Sequence, residues 1–283
     1  MNGEDWRLAV SALGFLATTV TIALALRQYR RGEQWKRAEF VAKEIKEFEA
    51  TPEVRTVYSA IDWTDRRLNL TGNPDADRSE WTRATRKFLW HALLPHEINA
   101  RHKEWQPLDE ATLKVASPER LSVQERSAPD SLEDGEEFKA RFTMAAAVAR
   151  DTFDVFFDGL SRFGNFIEAG LISAEEVQPY LRYWLKDLTT DQGLSDDAKW
   201  RCVVLTYMFV YEFQGAVTLF HACNCDIDPR GPLFRALQAR MHDEVLFVEL
   251  QNAALVTAPD MLKRAQVVIA RQADRDALIP LPS

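Results

Sequence analysis

Residues Leu8 to Leu26 read LAVSALGFLATTVTIALAL, and no charge interrupts these nineteen positions. At about 1.5 Å rise per residue such a helix is roughly 28 Å long, close to the ~30 Å hydrocarbon core of a bilayer. A soluble surface helix keeps a charged face, and this stretch has none. The sequence therefore predicts a transmembrane helix over 8–26, with Trp6 and Tyr29 near its ends, where amphipathic rings favour the headgroup region. Glu4, Asp5 and Arg7 precede the run, whereas Arg27, Arg30, Arg31, Lys36 and Arg37 follow it against a single Glu33. The positive-inside rule then puts the short N-terminus, 1–7, outside and the rest in the cytoplasm. The expected location is the inner (cytoplasmic) membrane, single-pass, with membrane lipid as the first partner. A cleaved signal peptide is the rival, through Ala23-Leu24-Ala25, but its n-region would be acidic and its apolar core overlong.

Ser11, Gly14, Thr18, Thr21 and Ala25 recur at alternating spacings of three and four, so they share one side of this helix. Small residues let backbones approach closely and hydroxyls can bond across an interface. The stripe is a candidate self-association face and points to a homo-oligomer.

The remaining chain reads as all-α, a cytoplasmic multi-helix bundle. Gly is scarce at 11 residues, helix formers dominate, and no segment sustains period-two alternation, so no sheet of consequence is expected. Residues 27–102 form a juxtamembrane and first helical segment, with Thr51-Pro52-Glu53 as a helix start and a further helix from Ser79 to about Leu93. Pro107, Pro118 and Pro129 punctuate a polar run over 103–135, which reads as a loop or insert. The main bundle occupies 136–283. It begins with a long helix capped by Gly170, and Ser173 with Glu176 forms a capping box for the next. Ser195 is placed as the cap of a third helix, which carries Tyr207, Tyr211 and Phe220 inward. Two more helices are expected, about 232–254 and 258–272.

Three blocks resemble an uncharacterised bacterial family: WKRAEFVAKEIKEFEATPEVRTVYSAIDW (Trp35–Trp63), FDVFFDGLSRFGNFIEAGLISAEEVQPYLRYW (Phe153–Trp184) and YMFVYEFQGAVTLF (Tyr207–Phe220). Its members carry one N-terminal membrane span and a helical domain of unknown function. The resemblance implies that topology and supplies no catalytic residues.

Chemical signals are sparse. Arg86 and His91, five residues apart, match the Arg-then-His spacing of helical ribonucleases of the higher-eukaryote-and-prokaryote nucleotide-binding (HEPN) class. Such a pair can activate a ribose hydroxyl and stabilise the phosphorane. Arg235 with His242 fits the same spacing. His221, Cys223, Cys225, Asp226 and Asp228 cluster without the paired spacing zinc prefers, so no metal and no cofactor is expected. Three cysteines, an odd and low number, fit reduced thiols. Asp151, Asp154 and Asp158 line one helix and read as a solvated face, with Arg162 able to pair with Asp158. A net charge of −8 disfavours bulk nucleic-acid binding. The functional expectation is a membrane-anchored helical interaction or effector module that self-associates and meets a protein partner still unknown. The alternative is a membrane-attached ribonuclease using Arg86 and His91.

Overall fold

The computed structural model describes residues 3–71, 73, 75–101 and 144–277; within the first helix, side chains are described from Phe15 to Tyr29 and again from Arg31. The expected 103–135 insert lies outside the described residues. Ten α-helices and one short hairpin make up the described chain. By compactness the chain divides into two units, Met1–Lys46 and Glu47–Ser283.

The first unit is helix. α1 runs unbroken from Gly3 to Ala50. Its described side chains through the apolar run are all exposed, Phe15 at 75%, Leu16 at 60% and Leu24 at 59% among them. Thr19 and Thr21 turn their hydroxyls back onto the carbonyls of Phe15 and Ala17, at 2.9 and 2.8 Å.

The second unit is the bundle. Pro52 opens α2 (Pro52–Asp62) as the sequence indicates, but the expected Thr51 capping hydroxyl donates back to Glu47 O at 3.1 Å instead of capping the helix. The helix expected from Ser79 starts later. Residues 78–80 form a single 3-10 turn, Thr82–Thr85 is strand β2, and α3 is confined to Arg86–Leu93. β2 pairs antiparallel with β1 (Asp65–Leu68), from Asp65 opposite Thr85 to Leu68 opposite Thr82. Four-residue strands are too short to print an alternation, which is why the hairpin escapes a periodicity argument. Thr85 closes the strand and caps α3, its hydroxyl accepting the Phe88 N–H at 3.2 Å. α4 (His96–Arg101) follows.

α5 (Met144–Glu168) ends as expected. Gly170 adopts a left-handed φ of 71°, and the Gly170 and Leu171 amides return to Ile167 and Phe166 in a Schellman-type stop. α6 (Ala174–Leu188) starts with the Ser173 N–H donating to Glu176 at 2.7 Å. α7 (Ser195–Val210) differs from expectation at its start. Ser195 is already helical, and it is Asp197 that accepts the Leu194 amide at 3.2 Å. The chain breaks again at Tyr211–Phe213, with Glu212 at φ 56°, before α8 (Gln214–Ala222). α9 (Pro232–Arg240) and α10 (Glu244–Ala277) complete the fold.

Two helices were expected in that last region with a break near 255–257. The break falls instead at 241–243, where Asp243 accepts the Leu246 amide at 3.0 Å, and α10 passes straight through Pro259. An interior proline costs a helix about 3 kcal/mol. The buried row Leu246, Phe247, Leu250, Ala254, Ala258, Met261 and Ala265 holds the helix together across it, and the Thr257 hydroxyl donates to Phe209 O at 2.7 Å.

α7 lies at the centre of the bundle, packed by α3, α9 and α10, and its residues from Trp200 to Phe209 are all buried. A helix apolar on every side belongs there. α5 packs most intimately with α8. A Cβ on Gly164 would fall within the van der Waals shell of Gly215 O, and one on Gly215 within that of Ser161 O. The Ser161 hydroxyl accepts the Ala216 N–H at 3.0 Å across the same crossing. Phe48 fills the space left by Gly159 and meets Phe156 and Phe163 edge or tilted at 5.9 and 5.5 Å.

By length and composition alone, the helix among the described residues able to cross a membrane is α10, over Glu244–Asp274. That helix is at the opposite end of the chain from the apolar run singled out in the sequence. Its buried apolar residues form one face of the bundle core, while Asp260, Lys263, Arg264 and Arg271 stand on its exposed side.

Candidate functional site

Two buried arginine networks hold most of the bundle's interior charge. The first is built on Arg86. The hairpin delivers it, since the Arg86 amide donates to Thr64 O at 3.0 Å as β2 passes into α3. The residue is 6% exposed. It donates to Ala60 O, to Ile61 O at 2.5 Å and to Asp197 Oδ1 at 3.2 Å, and it lies 5.1 Å from the centre of the Trp200 ring. Those carbonyls belong to the last turn of α2, which no backbone amide of that helix can reach. Arg86 therefore ties the end of α2 to the start of α7. Burial pulls its pKa below the usual arginine value, against the opposing pull of Asp197.

Arg201 extends the network. Its Nε donates to Asp187 O at 2.9 Å and its Nη1 to Gln192 O at 2.5 Å, tying the end of α6 and the following turn to α7. Burial raises the Asp187 carboxyl, and the nearby Arg201 and Arg86 charges restrain that rise.

The second network is built on Arg150 of α5, also 6% exposed. It donates to Leu94 O and to the Tyr211 hydroxyl at 2.9 Å, and its Nη1 is 3.5 Å from His96 Nε2. The guanidinium also stands over the Tyr207 and Tyr211 rings at 5.6 and 5.8 Å. The Tyr207 hydroxyl donates to Asp154 Oδ1 at 2.6 Å. Burial raises both partners' pKa values, so the phenol keeps its proton, while burial and the Arg150 charge lower that of His96.

Two clefts flank the C-terminal half of α6. One, of about 690 Å³, is lined by Gln178, Lys186, Cys223, Cys225, Asp226 and Leu233. The other, of about 680 Å³, is lined by Tyr183, Lys186, Asp187, Gln192, Gly193 and Arg201. Arg182 borders both.

The residues singled out in the sequence fall into these surroundings unevenly. His91 is half-buried in the last turn of α3 and stacks on Trp90 at 3.6 Å. Five residues turn an α-helix by about 140°, so Arg86 and His91 leave α3 in different directions. Arg235 sits inside α9 and donates to Arg230 O at 2.9 Å, while His242 is exposed beyond the end of that helix. Asp226 and Asp228 accept the amides of Asp228 and Arg230 at 3.1 and 2.8 Å, shaping the turn before α9. No group of three or more His, Cys, Asp or Glu side chains suited to a metal occurs among the described residues. Burial pushes the Cys202 and Cys223 thiols up to about 12, which leaves them protonated. Of the three-aspartate line, Asp151 and Asp158 are exposed, but Asp154 is half-buried and bound to Tyr207. Thr18, Thr21 and Ala25 are exposed, whereas the side chains of Ser11 and Gly14 lie outside the described residues.

Arg150, Arg201 and Asp197 were not singled out in the sequence, and Tyr207 was placed inward on a helix without a part in any site. A signal existed: Arg201 interrupts the apolar run WRCVVLTYMFV, and Arg150 follows AAAVA. An arginine flanked by core residues must bring its own acceptors. The two networks are clamps that fix helix ends. No family model, no curated protein and no solved structure matches the chain.

Proposed function

We propose that the protein is a membrane-tethered helical interaction module, held by the apolar run of α1 in the inner (cytoplasmic) membrane with its bundle on the cytoplasmic side. The observation that carries this reading is the exposure of Phe15, Leu16, Val20, Ile22, Leu24 and Leu26 around α1, each more than half accessible. Leaving such side chains in water costs about 1.5–3 kcal/mol apiece relative to burial. Lipid removes that cost along the full 8–26 run. The hydroxyls of Thr19 and Thr21 are already bonded within the helix, as a hydrocarbon environment requires. In the stripe of Ser11, Gly14, Thr18, Thr21 and Ala25, the Thr21 bond favours association through close backbone packing at that position over a hydroxyl contact. The module's output is recruitment of a protein partner, with the bundle as a rigid platform. The ribonuclease reading lacks a comparable support, because every described contact of the Arg86 guanidinium is internal.

The test is extraction of the full chain, expressed in cells with a C-terminal tag. Under this reading it stays with membranes through alkaline carbonate, and Leu16→Arg with Val20→Arg releases it folded. Release of the unaltered chain by carbonate would overturn the reading.

A further inference from the structure

α10 buries one face in the bundle, and its opposite face is unexpectedly rich in valine. Val245, Val248, Val256 and Val267 are 67, 46, 79 and 44% exposed. Valine is a poor choice for a solvated helix, because its branched side chain loses rotamer freedom there and gains no packing. The stripe also has internal symmetry. Val245, Glu249, Asn252, Val256, Asp260, Lys263 and Val267 lie at spacings of four, three, four, four, three and four, a palindrome about Val256.

We propose that this face is a docking surface for a second copy of the chain, packed antiparallel with Val256 on the two-fold axis. A two-fold contact must be self-complementary, residue i meeting j while j meets i. Reversing α10 about Val256 achieves this along the whole stripe. Val245 meets Val267, Glu249 meets Lys263, and the Asn252 amide faces the Asp260 carboxylate. A parallel pairing sets Glu249 against Glu249, Asp260 against Asp260 and Lys263 against Lys263 of the second copy. Each such contact is repulsive, so the charges select the antiparallel register. The three-four spacing is that of helices crossing at a shallow angle, with their stripes in contact over several turns. The inference does not depend on the N-terminal span, since all its residues belong to the bundle.

The experiment is disulfide trapping with the full chain in detergent, in a Gly14→Leu, Thr18→Leu background that separates it from association through α1. Val256→Cys should give a covalent dimer under mild oxidation. Val245→Cys alone should not, because the two copies of residue 245 stand about 33 Å apart in this register. Mixing Val245→Cys with Val267→Cys protein should restore the crosslink. The chain without an added cysteine is the blank; its buried Cys202 and Cys223 thiols resist ionisation. Lys263→Glu and Glu249→Lys should each weaken the dimer about tenfold, and the double exchange should recover it. A monomer at all concentrations, a Val245→Cys self-crosslink, or no recovery in the double exchange would each overturn the proposal. A monomer would leave the valine face to a different partner. Membrane retention in the carbonate assay is unaffected by any of these outcomes.

Discussion

α1 and α10 are the two longest helices, and both carry long apolar runs, yet those runs are organised differently. In α10 the apolar residues that matter follow the helical period. Phe247, Leu250, Ala254 and Ala265 point one way into the core, and charges occupy the far side. In α1 the run from Leu8 to Leu26 has no charge at all, and every described side chain in it is exposed. Length and apolar content alone would send α10 into a bilayer. What separates the two is whether the apolar surface forms a stripe, which a bundle can cover, or a full cylinder, which only a continuous apolar medium or other helices can.

Inserting one charge into each helix breaks this comparison most severely. Leu250→Arg places a cation at a site with no exposure and should abolish cooperative unfolding of the bundle, read by near-ultraviolet circular dichroism. Leu24→Arg should leave that signal intact and move the protein out of the carbonate-resistant fraction. If Leu24→Arg unfolded the bundle instead, the contrast between the helices would fail.

Within the bundle, Arg86→Ala should cost about 3–5 kcal/mol, because it takes the countercharge from Asp197 Oδ1 and the donors from two α2 carbonyls. His91→Ala should cost much less. Denaturant titration checks both. RNA cleavage lost in both variants at full structural integrity would instead favour the ribonuclease reading. Gly215→Ala should cost about 1–3 kcal/mol by forcing α5 and α8 apart, again with membrane retention unchanged.

The smallest effect concerns pH. The folded pKa of Asp154 is raised, chiefly by burial. The folded state therefore holds that proton where the unfolded chain has released it, and stability falls as pH rises from about 4 through the folded value. Asp154→Asn keeps an acceptor for Tyr207 and should flatten this part of the profile of Tm against pH. An unchanged slope would mean that another carboxyl, such as the similarly raised Asp187, dominates it.

Much of the bundle was legible where a local rule forces the outcome. Gly170 had to end α5 because the stop needs a left-handed residue, and Glu176 had to bind the Ser173 amide because that donor has no helical partner. Local rules failed where distant parts of the chain compete with them. Pro259 should have ended a helix, but the apolar row on either side of it is buried as one face, and packing outweighs the missing hydrogen bond. Thr82–Thr85 has too few residues to show a period, and it is strand because β1 pairs with it. Arg86 illustrates the same limit at the candidate site. Its spacing from His91 suggests a catalytic pair, but its partners are 25, 26 and 111 residues away.

By itself, then, the sequence determined the helical class, several of the helix ends, and the charge-free run of α1, because each depends on neighbours within a turn or two. Only the tertiary structure decided that α10 is a core helix and that Arg86, Arg150 and Arg201 are clamps. It also decided that a row of valines is left facing outward. These outcomes depend on which surfaces from distant segments cover one another, and that information is carried by no single stretch of chain.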